Sequence, residues 1–175
     1  MLTEISNLVH RTVTKIWLKH IPVDYSKNRL YREASLQDCF YFHLRREIGD
    51  STLESLGIFI YPEYYYQGKY VDMAVLVRRK GREVPLAIFE FKYLNSTGSK
   101  PFDNDIVKVL EYLKNDGLCK FYLGFVQEVE YDYPIDFSWL KDEQKIHASG
   151  RIVELTGGFF KPGAQSASWF IKEHT

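Results

Sequence analysis

Val71-Asp72-Met73-Ala74-Val75-Leu76-Val77 and Val84-Pro85-Leu86-Ala87-Ile88-Phe89-Glu90-Phe91-Lys92 decide how this chain folds. Both are apolar runs of strand length. Between them lies Arg78-Arg79-Lys80-Gly81-Arg82-Glu83, a charged stretch with Gly near its centre. Two strand-like runs around such a turn predict a β-hairpin. Asp72, Glu90 and Lys92 are ionisable residues inside segments that otherwise favour burial. A buried charge is costly unless it is paired or binds a metal. Residues of this kind are therefore candidates for a functional site.

A hairpin centred on Gly81 sets Asp72 opposite Glu90, with Cβ atoms roughly 4.5–5.5 Å apart. Side chains alternate between the faces of a strand. Asp72, Glu90 and Lys92 then share one face, and Val71, Met73, Val75, Phe89 and Phe91 share the other. A slip of one residue undoes this arrangement, and a bulge near Pro85 is where it would arise. Two carboxylates at that spacing repel unless a cation lies between them. A hard, oxygen-preferring ion such as Mg²⁺ suits the pair, and Mn²⁺ can substitute. A neighbouring lysine can orient water or neutralise charge on a phosphate. These parts fit metal-assisted phosphodiester hydrolysis. They equally fit a salt bridge of Asp72 or Glu90 with Lys92 at a strand end.

The pattern resembles the PD-(D/E)xK nuclease superfamily, which has the restriction-endonuclease-like fold. Asp72 matches the first motif position, with Val71 where a proline often stands, and Glu90-Phe91-Lys92 matches the second. The likeness covers about residues 31–128. It implies an α-β-β-β-α-β core with a central mixed sheet, flanked here by an N-terminal helix and C-terminal strands. It implies that Asp72 and Glu90 bind Mg²⁺, that the Phe91 backbone carbonyl adds a ligand, and that Lys92 acts on water and phosphate. Glu33, in Tyr31-Arg32-Glu33-Ala34-Ser35-Leu36-Gln37-Asp38, matches a helix glutamate that reaches the metal in that family. Phe102-Asp103-Asn104-Asp105-Ile106-Val107-Lys108 occupies the place of the polar helix start that faces the site, so Asp105 and Lys108 are supporting candidates. The partner implied is nucleic acid, with DNA first, and cutting both strands of a duplex would require a homodimer. The rival on the same fold is a non-catalytic module that binds nucleic acid or protein.

At 175 residues, 45% hydrophobic and 16% aromatic, the chain is long enough for one domain with a substantial core. Lys+Arg and Asp+Glu are equal at 23 each, so no global basic field draws in nucleic acid. Cys39 and Cys119 sit in apolar contexts and read as reduced core thiols. No signal peptide or membrane-spanning run is evident, and a cytoplasmic location is the default expectation. The five histidines, His10, His20, His43, His147 and His174, show no ligand spacing.

Apolar spacing predicts an amphipathic helix from Thr3 to about Lys19, interrupted by Pro22 and followed by a polar connector over Val23–Leu30. A second helix is expected from Arg32 or Ser35 to Ile48, with Leu36, Phe40, Leu44 and Ile48 as its buried stripe, stopped by Gly49. If it starts early, Glu33 lies on it; if Ser35 caps it with Asp38 in reply, Glu33 lies just outside. Ile58–Tyr66 reads as a strand turning at Gln67-Gly68-Lys69. A turn centred on Gly68 sets Tyr64 opposite Asp72 and leaves Glu63 peripheral. The tyrosines Tyr61, Tyr64, Tyr65, Tyr66 and Tyr70 read as half-buried sheet, or as a surface on which bases could stack. Beyond a polar loop, Tyr93–Lys100, a helix is expected over Asn104–Asn115 with Asp103 as N-cap. There Asp105 and Lys108 either pair as i, i+3 neighbours or support the site. Cys119–Val126 reads as a strand parallel to that of Glu90 through a right-handed crossover. Arg151–Leu155 and Ser168–Ile171 read as late strands joined by a loop containing Gly157-Gly158.

Overall fold

The computed structural model describes residues 2–97, 100–114, 119–148 and 150–174. It is an α/β protein whose six strands form one mixed sheet in the order β1-β2-β3-β4-β5-β6. The chain divides into two compact units, Met1–Phe89 and Glu90–Thr175. Among the described residues no helix is long and apolar enough to cross a membrane.

The first unit opens with α1 (Leu2–Lys15), a π-helical segment (Ile16–His20) and α2 (Ile21–Ser26). The expected break at Pro22 does not occur. Proline occupies the first turn of α2, where its missing N–H has no intrahelical partner to lose. The wider π turn carries the chain into it, so the expected connector is helical as far as Ser26. Helix α3 (Glu33–Ile48) begins early, at Glu33 itself. The Ser35 hydroxyl, instead of capping a later start, accepts the N–H of Arg32 at 3.1 Å and that of Tyr31 at 3.1 Å. Gly49, at φ 83°, ends α3 as expected, and a short unforeseen helix, α4 (Asp50–Leu56), follows.

The next elements are β1 (Ile58–Tyr66), β2 (Lys69–Arg79) and β3 (Arg82–Leu94), an antiparallel meander in the described pairs. Both hairpins turn on two residues with positive φ, Gln67-Gly68 and Lys80-Gly81. That geometry suits the right-handed twist of paired strands. The Lys80-Gly81 turn pairs Arg79 with Arg82, so the hairpin is not centred on Gly81 alone. Uncorrected, that register would bring Met73 opposite Ile88. A bulge between Val75 and Leu76 on one strand, beside Pro85 and Leu86 on the other, shifts it so that Met73 faces Phe89. Pro85 has no N–H for the ladder, which is why the irregularity falls there. The register at the Asp72 end of the described ladder is therefore the expected one.

Val71, Met73, Val75 and Phe89, on one face of this hairpin, are buried. Helix α3 packs against that face, with the Phe40 and Phe89 rings 5.4 Å apart and Trp17 6.5 Å from Phe40. Leu36, Phe40 and Leu44, the expected stripe, are fully buried. Each large apolar side chain of this kind contributes roughly 1.5–3 kcal/mol.

A polar cluster ties α2 to α3. Asp24, 4% exposed, pairs with His43 Nε2 at 2.6 Å and accepts from Arg29 at 2.9 Å. Burial pushes the Asp24 carboxyl up, but these two partners outweigh it and hold it below its usual range. The Cys39 thiol is pushed up to about 11 by burial and by Asp24, so it is a packed and unreactive thiol. His20 stacks on His43 with ring centroids 4.7 Å apart and meets Glu47 at 2.9 Å. Burial, followed by His43, lowers the His20 pKa despite the opposing pull of Glu47. The unfolded chain thus takes up this proton more readily than the folded one. Stability from His20 is complete above 6.5 and is lost as pH falls through the window below it. The melting temperature should fall as pH drops below about 6.5. His20→Gln should flatten that slope; an unaltered slope would remove His20 as its source.

The second unit contains the end of β3, then α5 (Lys100–Leu113), β4 (Lys120–Glu130), α6 (Asp142–Ala148), β5 (Ile152–Phe160) and β6 (Ser168–Glu173). Helix α5 starts a turn earlier than expected, because Pro101 favours a first turn and Phe102 is fully buried, 4.8 Å from Phe125 and 4.4 Å from Trp139. Gly98, Ser99 and Asn115, within the expected loop and helix end, lie outside the described residues. Strands β4 and β5 run parallel, and their connection holds α6, as a parallel pair requires a long crossover. Strand β5 runs straight through the glycines expected in a loop. A Cβ at Gly157 would lie 2.3 Å from the Trp169 ring. Gly158 has φ 86°, and its Cβ would lie 2.8 Å from the Gln127 carbonyl oxygen. Glycine here allows close backbone approach, not a turn. Gly158→Ala should destabilise by about 2 kcal/mol, measurable by urea unfolding; a neutral effect would mean that β4 yields without cost.

Glu154 of β5 is fully buried. It accepts from Ser138 Oγ at 2.6 Å and Trp139 N–H at 2.6 Å, and pairs with His174 Nε2 at 2.5 Å. Ser138 contacts the carboxylate and not the imidazole, so this is a latch holding the C-terminal end and not a nucleophilic triad.

Candidate functional site

In the N-terminal unit, Asp72 is half-buried on β2. It lines a cavity of about 350 Å³ with Ala34, Gln37, Asp38, Tyr41, Pro62, Glu63 and Met73. Glu33 opens α3 directly before Ala34 and is half-buried, but it is not among the lining residues. From α3, Gln37 and Asp38 line the same cavity. The expected role of Glu33 at the site stays a proposal.

The β1–β2 register also corrects the neighbour of Asp72. Pro62 pairs with Met73 and Tyr64 with Val71, which leaves Glu63, not Tyr64, across from Asp72. The difference is one residue of turn centre: the turn is Gln67-Gly68, not Gly68 alone. Glu63 sits at φ 49°, a left-handed conformation that a side chain makes costly. Such strain concentrates at functional positions. Glu63 directly precedes Tyr64-Tyr65-Tyr66, and a turn centre displaced by one residue hides its place across from Asp72.

In the C-terminal unit, β3 supplies Glu90 and Lys92 on one face, two residues apart. Helix α5 meets them with Asp105 and Lys108. Lys108 Nζ lies 2.7 Å from Glu90 Oε1, and Lys92 Nζ lies 3.5 Å from Asp105 Oδ2. Both of these pairings run between strand and helix. One turn of helix separates Asp105 from Lys108, so the two can reach successive residues of one strand face. The Glu90 side chain is 2% exposed, whereas Lys92, Asp105 and Lys108 are 15–21% exposed. Tyr112, a turn further along α5 and 2% exposed, has its phenol pushed up by burial and then by Glu90. Phe91, between the two site residues, is fully buried and anchors this part of β3.

Asp72 in the first unit and Glu90 in the second each offer carboxylate oxygens of the kind that Mg²⁺ prefers. Among the described residues, no group of three or more His, Cys, Asp or Glu side chains is placed to hold a metal ion. Magnesium needs fewer, since it usually takes one or two carboxylates and keeps several waters.

No family model matches the chain, and no curated protein or solved structure matches it.

Proposed function

We propose that this protein is a metal-dependent nuclease that hydrolyses phosphodiester bonds, with DNA as its substrate, on a PD-(D/E)xK core. The observation that carries the reading is the buried Glu90 carboxylate on one strand face with Lys92, met from α5 by Lys108 and Asp105. Isolated charges are not placed in a core without compensation. Here two lysines and two carboxylates alternate at a strand end next to partly open surface. The order α3, β1, β2, β3, α5, β4 supports the nuclease core, with α4 as an addition.

In this proposal Asp72 and Glu90 are the metal carboxylates, the Phe91 carbonyl a further ligand, and Glu33 an outer carboxylate. Bound Mg²⁺, or Mn²⁺ in its place, would supply a Lewis acid for the phosphoryl group and a more acidic water. Water adds at phosphorus and gives up a proton to solvent, the bond from phosphorus to the leaving oxygen breaks, and that oxygen takes a proton from solvent to leave as a hydroxyl. Lys92, an ammonium with three donors, donates to a non-bridging phosphate oxygen as negative charge builds there. Asp105 positions Lys92. Lys108 neutralises Glu90 when no metal is bound.

A second reading rests on that same Lys108–Glu90 contact. A lysine already seated on the carboxylate suits a non-catalytic binding module. A cleavage screen decides between them, using linear, circular, branched and single-stranded DNA with Mg²⁺, Mn²⁺ or chelator. Metal-dependent cutting supports the nuclease. Nucleic-acid binding without cutting under any of these conditions supports the module.

A further inference from the structure

The edge strand β1 carries a row of aromatic rings that the proposed chemistry does not use. Phe59 and Tyr61 are two residues apart and share a face, with ring planes 5° apart and centroids at 6.0 Å. Tyr64 continues the row, 17° from Tyr61 at 5.8 Å. Strict alternation would send Tyr64 to the other face; the left-handed Glu63 just before it breaks that alternation. The guanidinium of Arg78 lies over Phe59, 4.4 Å from its centroid. At the other end of the hairpin, Tyr65 and Tyr70 are 60% and 68% exposed, with rings 5.3 Å apart. Phe59 pairs with Leu76, Tyr61 with Ala74 and Tyr65 with Tyr70. By alternation along β2, Ala74 and Leu76, and with them Tyr61 and Phe59, lie on the face that carries Asp72.

The Tyr65–Tyr70 pair is water-exposed and its flanks remain wet, whereas Phe59, Tyr61 and Tyr64 are half-buried. Three near-parallel rings and an exposed pair on one hairpin, with Arg78 at one end paired to Glu83 at 3.0 Å, have the two parts that single strands need. Rings stack on bases whatever their identity, and cations follow the phosphates. Duplex DNA hides its base faces, so such a row favours unpaired nucleotides.

We infer that the β1 row is a stacking platform for single-stranded DNA, running from the Lys80-Gly81 turn past Tyr61 and Tyr64 to the Tyr65–Tyr70 pair beside Asp72. The inference deepens the nuclease reading by naming unpaired strands as its substrate class, and it rests on that reading only for what happens to the strand afterwards.

The test is fluorescence anisotropy in chelator, where no cleavage occurs. The probes are a labelled oligothymidylate and an abasic strand of equal length and charge. The wild-type protein should bind the thymidine strand roughly tenfold more tightly than the abasic one. Tyr65→Ser and Tyr61→Leu should each weaken binding by roughly fivefold to a hundredfold. The dependence of affinity on salt should not change, because no phosphate contact is removed. Tyr61→Phe, which keeps the ring, should retain affinity. Tyr65 is exposed enough for its replacement to leave the fold intact, checked by the melting temperature. Equal affinity for both strands, unchanged binding in both variants, or no binding by the wild type would overturn the platform. Base-dependent binding without cleavage under any metal condition would leave the platform standing and remove the nuclease. Metal-dependent cleavage with base-independent binding would do the reverse.

Discussion

Lys92→Ala is expected to slow metal-dependent cleavage by roughly 10²–10⁴-fold, the usual loss when a group acting on the reacting atoms is removed. Divalent-metal affinity should stay within a few-fold, because in the proposed site oxygen atoms hold the ion. Asp72→Asn should lose both cleavage and metal affinity, since it removes a charged ligand. Single-turnover cleavage and calorimetric Mn²⁺ titration on the two variants separate the roles. If Lys92→Ala cuts at the wild-type rate, Lys92 has no part in the chemistry. If it melts far below the wild type and no form binds metal, Lys92 and Asp105 are a structural pair and nothing more.

Lys108→Met should be the most destabilising replacement in this region. It removes a cation 2.7 Å from a carboxylate with a side chain only 2% exposed. Breaking a buried pair from one side costs about 3–5 kcal/mol. The two readings diverge on what restores it. In a metal site the ion replaces the lysine, so saturating Mg²⁺ should raise the melting temperature of Lys108→Met by more than that of the wild type. In a structural pair Mg²⁺ should change neither. Thermal melts with and without metal, at one pH, make the comparison.

The strand pairs at the heart of the molecule were readable because their side-chain pattern is short-range. Ile58–Tyr66 has the bounds expected from its apolar and aromatic run, and the Asp72 hairpin keeps its expected register through a bulge at the proline that signalled it. Helix α3 was readable from Leu36, Phe40 and Leu44. The failures share a different cause. Pro22 and Gly157-Gly158 are residues that usually end an element. Here their effect depends on partners distant in sequence: a π turn in one case, the Trp169 ring and the Gln127 carbonyl in the other. Local propensity cannot encode such contacts. The site shows the same division. The charges at Glu90 and Lys92 stood out against their apolar runs. Their partners, Lys108 and Asp105, could be named as candidates, but the choice between pairing along the helix and pairing across to the strand lay in the packing of α5. Glu63 was set aside through an error of one residue in a turn.

The π-helical segment has a genetic consequence. An i→i+5 turn holds one residue more than an α-helical turn, and each α-helical residue rotates the chain by about 100°. Ile16–His20 is thus a point where the reading frame of the helix face changes by one position. Deleting a single codon there should not break the helix but straighten it. The turn would then hold the α-helical number of residues, so the helices on either side would keep their relative rotation and Asp24 could still meet His43. A deletion in the regular part of α1, with no extra residue to lose, would instead turn one flank by about 100° relative to the other. In a library of one-residue deletions across α1 and α2, this segment is where a deletion should cost least. A deletion within Ile16–His20 should melt near the wild-type temperature, whereas one in α1 should keep its circular-dichroism helix signal and lose its packing.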